Sequence, residues 1–151
     1  MFRHILVPTD GSMLSNIAVR QAAQLAAETA AKLTVVYVKP PYPDVRYGES
    51  GVIAPITPAR FREFEEKEAQ RILGLARNLC MEAGVACTAL SAEGDEPSRT
   101  LLQTARNHDV DLICMASHGR RGLRRLLMGS ETHKVLTHSA IPVLVLRSNV
   151  C

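Results

Sequence analysis

The feature that most constrains this chain is the alternation of strand-sized apolar runs with helix-spaced ones. His4-Ile5-Leu6-Val7-Pro8 is a short apolar run closed by the turn signal Thr9-Asp10-Gly11. Leu14, Ile17, Ala18, Ala22, Leu25 and Ala26 then recur at helical spacing. A continuous β-branched run, Leu33 to Val38, follows, as expected for a strand buried on both faces. Thr57-Pro58 reads as a helix cap with proline at the first helical position. Phe61, Phe64, Ile72, Leu75, Ala76 and Leu79 continue that amphipathic helix until Gly84. Val85 to Leu90 reads as a third strand, and Asp95-Glu96-Pro97 opens a third helix carrying Leu101, Leu102 and Ala105. Asp111 to Ala116 is a fourth strand, Ser130 is placed to cap a fourth helix with Val135 and Leu136, and Ile141 to Leu146 is a fifth strand.

Five strands joined by helical crossovers pair in parallel with right-handed connections. The expected fold is therefore α/β, an open five-stranded parallel sheet with helices on both faces. A length of 151 residues suits one domain, spanning 1–151, and no internal repeat or low-complexity tract interrupts it. Aromatic residues are only 4% and tryptophan is absent, so the core must be mostly aliphatic.

Charge and hydropathy exclude several classes. The net charge of +3 is a mild excess that argues for neither nucleic-acid nor membrane binding. The longest apolar stretches are strand-sized, far below the ~18 residues of a membrane span. Ile5-Leu6-Val7 is too short for a signal-peptide apolar region, so the chain reads as cytoplasmic. Cys80, Cys87, Cys114 and Cys151 form no CxxC pair and match no zinc or redox spacing. The first three read as buried inert thiols, and the terminal Cys151 as exposed and oxidisable. His108, His133 and His138 have no metal-site spacing.

Familiar nucleotide fingerprints are missing. Asp10-Gly11-Ser12 follows the first strand in place of GxGxxG, and there is no GxxxxGK[ST], HExxH or GxSxG. One segment stands out. From Ala116-Ser117-His118-Gly119 to Gly129-Ser130-Glu131-Thr132 the chain runs from the end of a buried strand to the start of a helix. Gly119 and Gly129 lack a Cβ, so an anion can approach their N–H groups. The helix that begins at Ser130 offers its first free N–H groups, a setting suited to phosphate. Asp10 ends the first strand. If strands one and four are neighbours, Asp10 and Ala116 face one crevice beyond the carboxyl ends, where open α/β sheets bind ligands. Asp10 also suits an Asx-turn with Gly11, which can coexist with ligand binding. Arg120, Arg121, Arg124 and Arg125 form a basic cluster; with no aromatic among them, a single-strand nucleic-acid platform is not indicated. His118 fits a positional role, since no nucleophile or carboxylate stands at fixed spacing from it. Glu131 suits a helix N-terminus but repels phosphate unless a cation such as Mg²⁺ intervenes.

The opening ILVPTDGS, the phrase DLICMASHGRRGL and the ending GSETHKVLTHSAIPVLVLR resemble the universal stress protein family over essentially the whole chain. The family's nucleotide motif, G-x2-G-x9-G-[S/T], maps its second glycine onto Gly119 and its end onto Gly129 and Ser130. Its first glycine falls on Ala116, a departure from the pattern. The resemblance implies a Rossmann-like sheet of the adenine nucleotide α-hydrolase type, with strand order 3-2-1-4-5. It implies ATP as ligand, with Pro8 and Asp10 beside the nucleoside and backbone groups of Val38 at the adenine. Met115 and Ala116 would border the phosphates, and Gly119, Gly129, Ser130, Glu131 and Thr132 would cradle them. It also implies a homodimer through the Ile141 to Leu146 strand. The expected function is an ATP-binding regulatory module of the stress response. A slow ATPase or nucleotidyl transferase, and a nucleotide-free dimeric scaffold, are the alternatives. The proline-rich stretch from Lys39 to Thr57 is expected to form a flap over bound nucleotide.

Overall fold

A computed structural model describes residues 1–43, 56–118 and 128–148. These residues form β1 (His4–Pro8), α1 (Met13–Thr29), β2 (Lys32–Lys39), α2 (Pro58–Glu82), β3 (Thr88–Glu93), α3 (Pro97–Asn107), β4 (Leu112–Ala116), α4 (Ser130–His138) and β5 (Val143–Leu146). The strands make one sheet in the order β3-β2-β1-β4-β5, every pairing parallel. The order reverses between β1 and its two neighbours, β2 and β4.

Side-chain alternation along the strands divides the core into two layers. Ile5 and Val7 of β1, Leu33 and Val35 of β2, and Leu112 and Cys114 of β4 pack under α1 and α2. Leu6, Val36, Ile113 and Met115 point the other way, against Leu101 and Ala105 of α3 and Val135 of α4. Because both faces are covered, the central strands are apolar throughout, and the layers are aliphatic as composition requires. Burial pushes the Cys80 thiol up to about 12, with Cys87 beside it adding to the effect, and the Cys114 thiol up to about 11. Both are therefore poor nucleophiles. Cys87 is half-buried.

Helix ends explain where the strand boundaries differ from expectation. At the end of α2, Gly84 takes φ +77°, its N–H donates to the Met81 carbonyl at 2.9 Å, and the Val85 N–H donates to the Cys80 carbonyl at 2.9 Å. This is a Schellman closure. It consumes Val85, so β3 starts at Thr88 rather than at residue 85 and runs on to Glu93, where it pairs with Lys39. The fifth strand starts at Val143 rather than Ile141, because Ser139 turns the chain through hydrogen bonds with both Ile141 backbone groups. Pro142 has no N–H for a ladder; its carbonyl accepts from the Ile113 N–H at 3.0 Å. Asp111 lies ahead of β4. Its carboxylate accepts the N–H of His4 at 2.9 Å and of Arg3 at 2.9 Å, joining β4 to β1 at the end remote from the cleft described below.

Candidate functional site

The site begins with two strands ending side by side. β1 and β4 pair in register through Ile5–Leu112 and Leu6–Ile113, so Pro8 to Asp10 and Met115 to His118 leave the sheet together. Between them, β2, α3 and α4 lies a cleft of about 530 Å³. That volume is in the range of small-molecule pockets.

The β1 end is shaped by Asp10. Its Oδ1 accepts from the Ser12 N–H and from the Ser15 hydroxyl, both at 2.9 Å. The first bond is the Asx-turn, made possible by Gly11 at φ +80°. Ser12 caps α1, its hydroxyl accepting from the Ser15 N–H at 3.2 Å. Ser15 is buried and also bonds the Thr9 hydroxyl at 3.0 Å. The turn is thus a polar network that holds the Asp10 carboxylate at the cleft wall.

The opposite wall is the start of α4. Gly129, and not Ser130, is the N-cap; no side chain caps the helix, and Ser130 is its exposed first residue. Gly129 takes φ −58° and ψ 149°, a conformation open to any residue. Its N–H is committed to the Ser117 carbonyl at 2.6 Å, so the donors of this helix start begin at Ser130, one residue later than the sequence suggests. The first helical bond runs from the His133 N–H to the Gly129 carbonyl at 3.0 Å. The N–H groups of Ser130, Glu131 and Thr132 precede it and have no partner within the helix. Thr132 is buried and its hydroxyl donates to the Ala116 carbonyl at 2.9 Å, holding α4 against the end of β4.

Nine of the expected residues line this one cleft: Pro8, Asp10, Val38, Met115, Ala116, Gly129, Ser130, Glu131 and Thr132. Gly119, the arginines from Arg120 to Arg125, most of the 39–57 loop and Cys151 lie outside the described residues. Ala116 also packs against the α1-side layer, in line with Leu112 and Cys114. Glu131 has an unforeseen role. Its Oε2 accepts from the Ser98 N–H of α3 at 2.9 Å, and its Oε1 meets Lys134 at 3.2 Å. His118 lines the cleft with its Nδ1 3.1 Å from the Ser117 hydroxyl.

Sequence reasoning missed Thr9, Ser15, Tyr37, Asp95 and Ser98, which also line the cleft. Asp95 and Ser98 were findable. They follow β3 at the carboxyl edge of the sheet, where a third helix N-terminus had to come close to the first and fourth strand ends. Among the described residues, no group of three His, Cys, Asp or Glu side chains is arranged to hold a metal ion.

An open parallel sheet with a cleft at its switch point and a helix N-terminus on one wall defines a Rossmann-like α/β domain. The profile of the universal stress protein family matches residues 1–147. The universal stress protein YxiE of Bacillus subtilis is 34% identical over 151 residues, covering 97% of this chain and all of that protein. A solved universal stress protein family structure from Burkholderia pseudomallei is 26% identical, with a TM-score of 0.75 and 97% of each chain covered. A solved universal stress protein in complex with cAMP shares the fold at 23% identity, TM-score 0.71 and 98% coverage of each chain. The chain belongs to the universal stress protein family.

Proposed function

We propose that this protein is an ATP-binding regulatory module of the stress response, with the nucleotide seated in the cleft between β1 and β4. The observation that carries the reading is the convergence of two features on one cleft. One is the set of α4 N–H groups at Ser130, Glu131 and Thr132, which precede the first helical bond. The other is the group of Pro8, Asp10 and Val38 on the far wall, within reach of a nucleoside. Helix N-termini favour anions, and these N–H groups belong to residues that line the cleft. The cAMP complex of a relative with this fold points to adenine nucleotides as the ligand class. Ala116 is tolerated at the phosphate end in this reading because its methyl also packs toward the α1-side layer.

The module is proposed to act as a cytoplasmic homodimer. β5 ends the sheet order, and Leu144 on it is 40% exposed, so pairing with a second copy would cover an apolar edge. No described helix is long and apolar enough to cross a membrane.

Native mass spectrometry of the purified protein tests the proposal, with and without added ATP. The expected spectrum contains protein heavier by one ATP per chain. Unliganded chains alone, even with ATP in excess, would refute nucleotide binding and favour a nucleotide-free scaffold.

A further inference from the structure

Among the described residues, the cleft is lined by three carboxylate side chains, Asp10, Asp95 and Glu131, and by no lysine or arginine. That is an unusual lining for a polyanion. Glu131 is the one on the phosphate-facing wall, next to Ser130 in the first turn of α4.

The position of this carboxylate is held from two sides. Pro97 opens α3 and has no N–H, so the Ser98 N–H is the first donor of that helix. Glu96, the residue at the cap, makes no side-chain bond to it. Glu131 serves instead, from 33 residues away, at 2.9 Å. Lys134 holds the other oxygen at 3.2 Å; both side chains are part-exposed, 44% for the lysine and 38% for the glutamate, so both charges are partly screened. A carboxylate engaged in this way cannot swing aside for an arriving anion without uncapping α3. Its repulsion therefore acts on the bound ligand, and it grows with the number of phosphate charges.

We propose that Glu131 is a specificity-determining residue that limits the preference of this cleft for polyphosphates, so that ATP gains less over AMP than the α4 N-terminus alone would give. The inference rests on the nucleotide reading above.

Calorimetric titration of AMP and of ATP, with divalent cations chelated, tests it on the wild type, Glu131→Gln and Lys134→Met. Glutamine keeps an oxygen for the Ser98 N–H, so ligand-free Glu131→Gln is expected to melt near the wild type. It should raise the ATP-to-AMP affinity ratio about threefold or more, the order expected for removing one partly screened charge near phosphate. Lys134→Met should lower the ratio. An unchanged ratio in folded Glu131→Gln overturns the inference while leaving nucleotide binding intact. If Glu131→Gln does not fold, Lys134→Met decides, because it leaves the Ser98 contact in place; an unchanged ratio there overturns the inference. If the wild type binds neither nucleotide, the inference falls together with the proposed function.

Discussion

Single residues carry more of this structure than their chemistry suggests. Ala30 closes α1 at φ +55°, a left-handed conformation in which Cβ crowds the backbone. The Ala31 N–H still reaches the Ala26 carbonyl at 3.0 Å, the same closure that Gly84 makes for α2. Ala30 is exposed, so its methyl contributes little packing. Ala30→Gly is therefore expected to stabilise the protein, by up to about 1 kcal/mol, with the gain read as a raised urea midpoint at unchanged slope. Gly129 is the opposite case. Its φ of −58° places no demand for glycine, so any need for glycine there comes from space in the cleft and not from the backbone. That distinction is invisible in a sequence, where both are a residue beside a helix end.

At the scale of elements, the alternation of strands and helices was legible because periodicity reports burial directly. Two-sided burial made β1, β2 and β4 continuous apolar runs, and the Thr57-Pro58 cap and the Gly84 stop fall where local chemistry puts them. The boundaries of β3 and β5 were not legible. Val85 and Ile141 are apolar, but they are consumed by a helix closure and a serine turn, which depend on backbone bonds rather than on pattern. The sequence posed Glu131 as a carboxylate at a helix start that would repel phosphate without a cation, and did not show its partner Ser98, which tertiary packing of α3 on α4 supplies.

Asp111 shows the same dependence on tertiary partners with a measurable outcome. Burial would raise its carboxyl, but the backbone N–H groups of His4 and Arg3 outweigh this and hold it below the ordinary aspartate range. A depressed carboxyl stabilises the fold above its unfolded value, near 3.9, and that stability is lost as pH falls through the folded value. Asp111→Ala is expected to cost about 1 kcal/mol at pH 7, the charged hydrogen bonds being discounted for solvent exposure. The difference between wild type and variant should shrink below about pH 4, as urea denaturation across pH would record.

For the whole molecule, the sheet order creates the cleft. β1 and β4 must be neighbours for Asp10 and Ala116 to share a crevice, and α3 and α4 must lie on one face for Ser98 to reach Glu131. Strand ends and one helix start named Asp10, Ala116, Gly129 and Ser130 of the candidate site, whereas Pro8, Val38, Met115 and Thr132 came from the family resemblance. The contribution of the α3 start, at Asp95 and Ser98, was missed, although their place after β3 at the carboxyl edge pointed to it. The same order leaves β5 at the edge. Leu144 there is more exposed than Val143, which packs against the α4-side layer, so Leu144 is the residue with which to test assembly. Leu144→Lys is expected to convert a homodimer to monomer in sedimentation at micromolar concentration while leaving the melting of the monomer near its original value. A dimer that survives this substitution would place the interface elsewhere.

In the proposed function, the α4 start and the β1 end hold one nucleotide between them. The most direct measurement is calorimetric titration of ATP into wild type and Gly129→Val, with melting curves of both. Because φ −58° and ψ 149° admit valine, the variant is expected to stay folded. The branched side chain would occupy phosphate space, so one ATP per wild-type chain is expected and none measurable for the variant. Undiminished ATP affinity in a folded Gly129→Val protein would contradict it.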